Sequence, residues 1–167
     1  MAEKRKEPAA GGISVVARNR KALHDYEVLE RLEAGLALVG TEVKVVRAGH
    51  AGLQGAYAQV DKNTGEAWLC GVNIPPYGFG NLFNHDSLRA RKLLLHRREL
   101  LKLRAHEERK GCTIVPLSLY LKRGRVKCEL GVCRGKNEID KRETIKRREL
   151  DRDARRDFAL AFRRGKS

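Results

Sequence analysis

Residues 112–135 read "CTIVPLSLYLKRGRVKCELGVCRG", and their alternation decides the class of fold. Apolar residues at every second position send one side of a strand inward and leave the other to solvent. Val115, Leu117, Leu119 and Leu121 share one side of the first strand, and Val126, Cys128, Leu130 and Val132 share one side of the second. Between them "KRGR" (122–125) supplies the reversal, so the stretch is an antiparallel hairpin. Pro116 has no N–H to give to a ladder, which puts it at a sheet edge or a bulge.

Working outward, "AYAQV" (56–60) and "EAWLCGVNI" (66–74) flank the turn-forming "DKNTG", a second hairpin. "PPYGFGN" (75–81) then breaks the sheet. Upstream, a long strand is expected over 26–38, interrupted at Gly35 by a bulge or bend. "TEVKVVRAGH" (41–50) reads as a short helix with Thr41 as its N-cap and Gly49 at its stop. "HDSLRARKLLLHRRELLKLRAHEERKG" (85–111) reads as one long helix. Asp86 or Ser87 caps it, and Leu93, Leu94, Leu100 and Leu101 line its inner face. The sum is five or six antiparallel strands with one long and one short helix. That is a mainly β chain, and a small OB-type barrel fits it. Residues 1–17 form a flexible N-terminus, 18–133 the barrel, and 134–167 a separate tail.

Charge sets the partner class. Among 167 residues, 36 Lys and Arg face 21 Asp and Glu, a net charge of +15. Such a field attracts polyanions. No apolar run approaches the ~20 residues needed to span a bilayer, and "MAEKRKEPAAGG" has no apolar stretch of the kind that directs secretion. A cytoplasmic, membrane-free protein is expected. Four cysteines and five histidines lie without metal-ligand spacing, so neither a metal nor a cofactor is expected. Catalysis is not expected either. No phosphate loop or nucleophile motif occurs, and on a strand His24 and Asp25 would point to opposite faces.

The tail holds 13 Lys and Arg against 7 Asp and Glu, hence +6 of the total, leaving +9 for everything before it. Its apolar stripe, Leu150, Ala154, Phe158 and Phe162, is one residue wide. That is narrower than the face by which a helix docks on a core. Such a segment is expected to be disordered when free and to fold on a phosphate-rich partner.

The tail's opening, "GKNEIDKRETIKRRE", resembles the C-terminal segment of the SsrA-binding protein (small protein B) family. "NRKALHDY", "EAGLALVGTEVKVVRAG", "RARKLLLHRREL" and the 112–135 hairpin resemble that family's blocks in order and spacing. One departure is Asn137, where a second lysine is usual. The resemblance implies a bacterial OB-type barrel that binds the tRNA-like domain of transfer-messenger RNA (tmRNA). It implies delivery to the A site of stalled ribosomes, with elongation factor Tu in the delivery complex. The barrel is then expected near the small-subunit decoding centre, with the tail helical in the empty mRNA channel.

By the same match, Asn19, His24, Tyr26, Glu33, Leu94 and Lys127 are expected at the RNA-binding surface, with Arg89, Arg91 and Lys92 extending its basic face. Gly135, Lys136, Asp140, Lys141 and Arg142 are expected to meet the ribosome. From the residues alone, Leu94 reads as helix core and Glu33 as a strand-end carboxylate held by an arginine or a backbone N–H. Lys127, out of phase with Val126 and Cys128, reads as solvent-facing. A structural ribosomal protein, or a general basic OB-fold RNA-binding protein, is the rival reading.

Overall fold

The 112–135 hairpin forms the backbone of the structure, a computed structural model that describes residues 12–80, 84–136, 145–147 and 149–156. Its strands run Cys112–Lys122 and Arg125–Gly135, the sixth and seventh in chain order. In order, the elements are β1 (Ile13–Arg18), α1 (Arg20–Asp25), β2 (Tyr26–Leu36), α2 (Gly40–Arg47), β3 (Tyr57–Val60), β4 (Ala67–Cys70), β5 (Arg91–Leu94), α3 (Arg97–Glu107), β6 and β7. Strands β6, β3, β4, β5, β2 and β7 follow one another as neighbours, and β6 pairs again with β7. The sheet therefore closes into a ring of antiparallel strands, with β1 added along β6. Closure leaves the ring's own strands no free edge.

The hairpin's inner side shows one correction. Its second strand is as expected, with Val126, Cys128, Leu130 and Val132 all in the main core. On β6 the register slips between Pro116 and Ser118, the bulge that Pro116 foretold. One extra residue reverses the alternation. Ile114 and Leu119 face the main core, whereas Val115 and Leu117 face a smaller cluster with Ala22 and Cys133. The four β6 residues thus do not share one side.

The "AYAQV"–"EAWLC" hairpin is present, with Tyr57 opposite Cys70 and Val60 opposite Ala67. Strand β2 ends at Leu36 and passes straight through Gly35. A Cβ there would sit 3.1 Å from that of Leu94 on β5, so the glycine permits close cross-strand approach. Val39, not Thr41, is the N-cap of α2; its N–H donates to Glu42 Oε2 at 2.9 Å.

The long helix expected over 85–111 is two elements. Residues 91–94 are a strand, and helix begins only at Arg97. Within β5, Arg91 and Leu93 are buried and Lys92 and Leu94 face out, a period of two that a buried arginine disguises. Leu94 is 53% exposed and Leu101 60%, so neither is core.

Upstream of β2, α1 was not foreseen. Asn19 caps it by accepting from the Ala22 N–H at 3.0 Å. The chain divides into two compact units, Met1–Arg134 and Gly135–Ser167. In the second, 145–147 and 149–156 are helical, and their side chains are exposed. Asp140, Lys141 and Arg142 lie outside the described residues.

Candidate nucleic-acid interface

Strand alternation on β2, β6 and β7 puts one carboxylate among three cationic or phenolic partners. Glu33 accepts from Tyr120 Oη at 2.6 Å and from Lys122 Nζ at 2.9 Å, with Lys127 Nζ at 3.8 Å. Its partners are thus a phenol and two lysines, not the arginine or backbone N–H that the sequence suggested. Hydrogen bonds first from Tyr120 and then from Lys122 hold its carboxyl below the ordinary 4.5. Burial and the Glu33 bond push the Tyr120 phenol upward, so it stays a donor.

Glu33 and Lys127 border a cleft of about 950 Å³, across which lie Lys92 and Leu94 of β5. Four expected site residues, from three separated stretches of sequence, therefore converge. Lys92 is ion-paired with Glu66, also on the cleft wall. Each of these lysines is held by a carboxylate, but all three remain partly exposed. Exposed pairs of this kind contribute little stability, so exchanging the carboxylate for a phosphate is not opposed by the fold. The exposed Leu94 offers an apolar surface between the charges.

Other expected residues lie elsewhere. Asn19 is buried, and its amide donates to Leu53 O and Pro116 O at 3.1 Å each. These bonds, with the one its oxygen accepts from the Ala22 N–H, fix the start of α1 to the barrel. Arg91 is wholly buried: it does not extend a basic face, and that expectation is corrected. Its Nε–H donates to Glu42 Oε1 at 2.9 Å. Its other nitrogens donate to Val72 O at 2.7 Å, Arg89 O at 3.0 Å and Ser87 O at 3.0 Å. Arg89 reaches the same carboxylate from outside at 2.8 and 2.5 Å and is only partly exposed.

His24 lies in the last turn of α1, where its Nδ1 is 2.9 Å from Asp25 Oδ1. The two do meet, because a helix end rather than a strand carries His24. Tyr26 packs against the smaller core cluster. Gly135 is exposed and Lys136 partly so. Sequence reasoning missed Tyr120 and Lys122. Their signal was the alternation itself: both stand out of phase with Leu119 and Leu121.

With that geometry in place, similarity to known proteins becomes informative. A family model described as "SmpB protein" matches residues 16–160. The chain belongs to the SmpB family. An SsrA-binding protein of Desulfitobacterium hafniense is 51% identical over 155 residues, 93% of this chain and 96% of that one. Its counterpart in Levilactobacillus brevis is 56% identical over 143 residues, 86% of this chain and 90% of that one. A solved structure described as "tmRNA-SmpB: a journey to the center of the bacterial ribosome" is 46% identical with a TM-score of 0.62, covering 78% of this chain and 94% of that one. The SmpB match covers the cleft and most of the tail, which it follows as far as residue 160. Among the described residues, no cluster of His, Cys, Asp and Glu could hold a metal, and no helix is long and apolar enough to cross a membrane.

Proposed function

We propose that this protein is an RNA-binding adaptor, not an enzyme, which binds the tRNA-like domain of tmRNA and brings it to the A site of stalled ribosomes. The observation that carries the reading is the cleft: Glu33, Lys92, Leu94 and Lys127 meet there, and all four lie within the stretch that the SmpB family model matches. Folded RNA is recognised through phosphates, 2′-OH groups and unstacked loop bases. The lysines supply phosphate contacts, and Glu33 can accept from a base amino group while Tyr120 keeps it aimed.

The strand ring takes an OB-type path in this reading, and elongation factor Tu belongs to the delivery complex. Of the flexible N-terminus expected over 1–17, residues 13–17 belong instead to β1, which pairs with β6; beyond β7, the tail expected over 134–167 is ordered by the ribosome. Its helix, exposed along 145–147 and 149–156, is the form that lies in the empty mRNA channel near the decoding centre. Gly135, Lys136, Asp140, Lys141 and Arg142 contact the ribosome there. Nucleation is costly for so short a helix, and phosphate contacts supply what a core would otherwise give.

The test separates the two parts. A chain ending at Lys136 keeps β7 whole, including the Cys112–Arg134 pairing. It should bind the isolated tRNA-like RNA within about twofold of the full chain and fail to tag peptides on stalled ribosomes. Equal loss of both activities would refute this division, and survival of tagging would refute the tail's role.

A further inference from the structure

Resting on the RNA-binding reading above, we propose a second RNA contact outside the cleft: an aromatic platform, Tyr77 and Phe79 with Lys44, that stacks one unpaired base of the same RNA. Phe79 is 91% exposed, more than any other large apolar residue described. Its ring stands edge-on to Tyr77, with centroids 5.7 Å apart and planes at 61°. Lys44 Nζ lies 5.0 Å from the Tyr77 ring centre, within cation–π range.

The loop that carries Tyr77 and Phe79 is built rather than loose. The Asn84 amide donates to Tyr77 O at 2.9 Å and its oxygen accepts from the Tyr77 N–H at 3.1 Å. Gly80 N–H closes a turn onto the same carbonyl at 2.8 Å. His85 holds the strap before it, bonding Ile74 O and Pro75 O through Nε2 while Nδ1 meets Thr41 Oγ1 at 2.9 Å. Phe79 is thus projected into water from a pinned backbone, so little ordering entropy remains to be lost on binding.

Charge selects the occupant. The hollow beside the loop, about 610 Å³, has Lys44 and Arg89 on its wall and no carboxylate among its described lining. Glu42 is buried beneath, outnumbered by Arg89 and Arg91. Among the described residues, Lys44 pairs with no acid. Exposed rings joined through Lys44 to a cationic hollow suit a base and its phosphate, the pairing by which single-stranded nucleic acid is held without sequence preference.

The experiment compares full-length Phe79→Ala, Phe79→Leu and Phe79→Trp with the unaltered protein, by fluorescence anisotropy on labelled tRNA-like RNA and by cosedimentation with ribosomes lacking tmRNA. Phe79 is exposed, so all three should melt with the parent. Loss of one stacked base is expected to weaken RNA binding by about 5- to 150-fold for alanine. Leucine should be nearly as weak, because it keeps apolarity but not a π-face, and tryptophan should bind as the parent does. Unchanged RNA affinity of Phe79→Ala, with the parent binding well, would overturn the platform and leave the cleft standing. Full rescue by leucine, or a defect confined to ribosome cosedimentation, would likewise overturn it. Failure of the parent to bind the RNA would overturn both proposals.

Discussion

Replacing Glu42 by glutamine removes one negative charge from the interior while keeping the side chain's length and shape. Glu42 and Arg91 are both inaccessible to solvent, and their contact is 2.9 Å. Burial by itself would push the Glu42 carboxyl up. Hydrogen bonds from Arg89 and the Val39 N–H, with the charge of Arg91, outweigh it and hold the group below its ordinary 4.5. In Glu42→Gln the Arg91 guanidinium keeps its three carbonyl partners but loses its counter-ion. Stripping one partner from a buried pair costs about 3–5 kcal/mol. Arg89 is about one-third exposed and can turn to water, so the cost rests on Arg91. Against a total stability of about 5–15 kcal/mol, that is a large fraction. With a urea slope of about 2 kcal/mol per M, the midpoint should fall by about 2 M. Acid should act the same way on the parent. Because the folded carboxyl is depressed, its contribution is complete above 4.5 and is lost as pH falls through the lower folded value. Glu42→Gln should flatten that acid limb. A loss below about 1 kcal/mol with an unchanged acid limb would mean that water reaches the pair, and the account of Arg91 as a sealed charge would fail.

Two further outcomes are expected. Lys127→Ala should reduce the slope of log affinity against log salt for the tRNA-like RNA by about 0.7–0.9, one phosphate's worth; an unchanged slope would place Lys127 off the backbone. Burial pushes the thiols of Cys128 and Cys133 up, the latter to about 11, while Cys70 and Cys112 are partly exposed. Iodoacetamide at pH 8 should therefore label Cys70 and Cys112 in the native protein and reach the other two only on unfolding; equal rates, followed by peptide mass spectrometry, would contradict the packing of β7.

Sequence pattern carried the hairpins because their signal is local. Val126, Cys128, Leu130 and Val132 alternate within one strand, and nothing distant is needed to read them. Val115 and Leu117 were misassigned although Pro116 announced a bulge, since a bulge's presence does not reveal which side the displaced residues take. The stretch from Arg89 to Leu94 was misread for a deeper reason. Hydrophobicity marks arginine as exterior, and only Glu42, far off in the sequence, makes Arg91 interior. Once Arg91 is assigned outward, the leucines that follow look helical. Glu33 and Lys127 were named by resemblance, yet their lysine and tyrosine neighbours were available from alternation on β6. Helix α1 was missed because six residues offer too short a period to count.

The buried pair also explains how one short strand can serve both the core and a binding surface. On β5, Arg91 is in, Lys92 out, Leu93 in and Leu94 out. A slip of one residue would send Leu94 inward and turn Leu93 to the cleft, and four residues hold too little apolar area to forbid it by themselves. A salt bridge satisfied at four points by Glu42, Val72, Arg89 and Ser87 does forbid it, because every slipped register strands a buried guanidinium. Helix α2 supplies the other half of that lock. Its successive residues are turned by about 100°. Glu42 therefore enters the core, Val43 lines the cleft and Lys44 covers Tyr77. The charge that the sequence reading placed on the surface is what sets the phase of both walls proposed to face RNA, so on that proposal its place in the interior is a condition of binding and not a cost borne beside it.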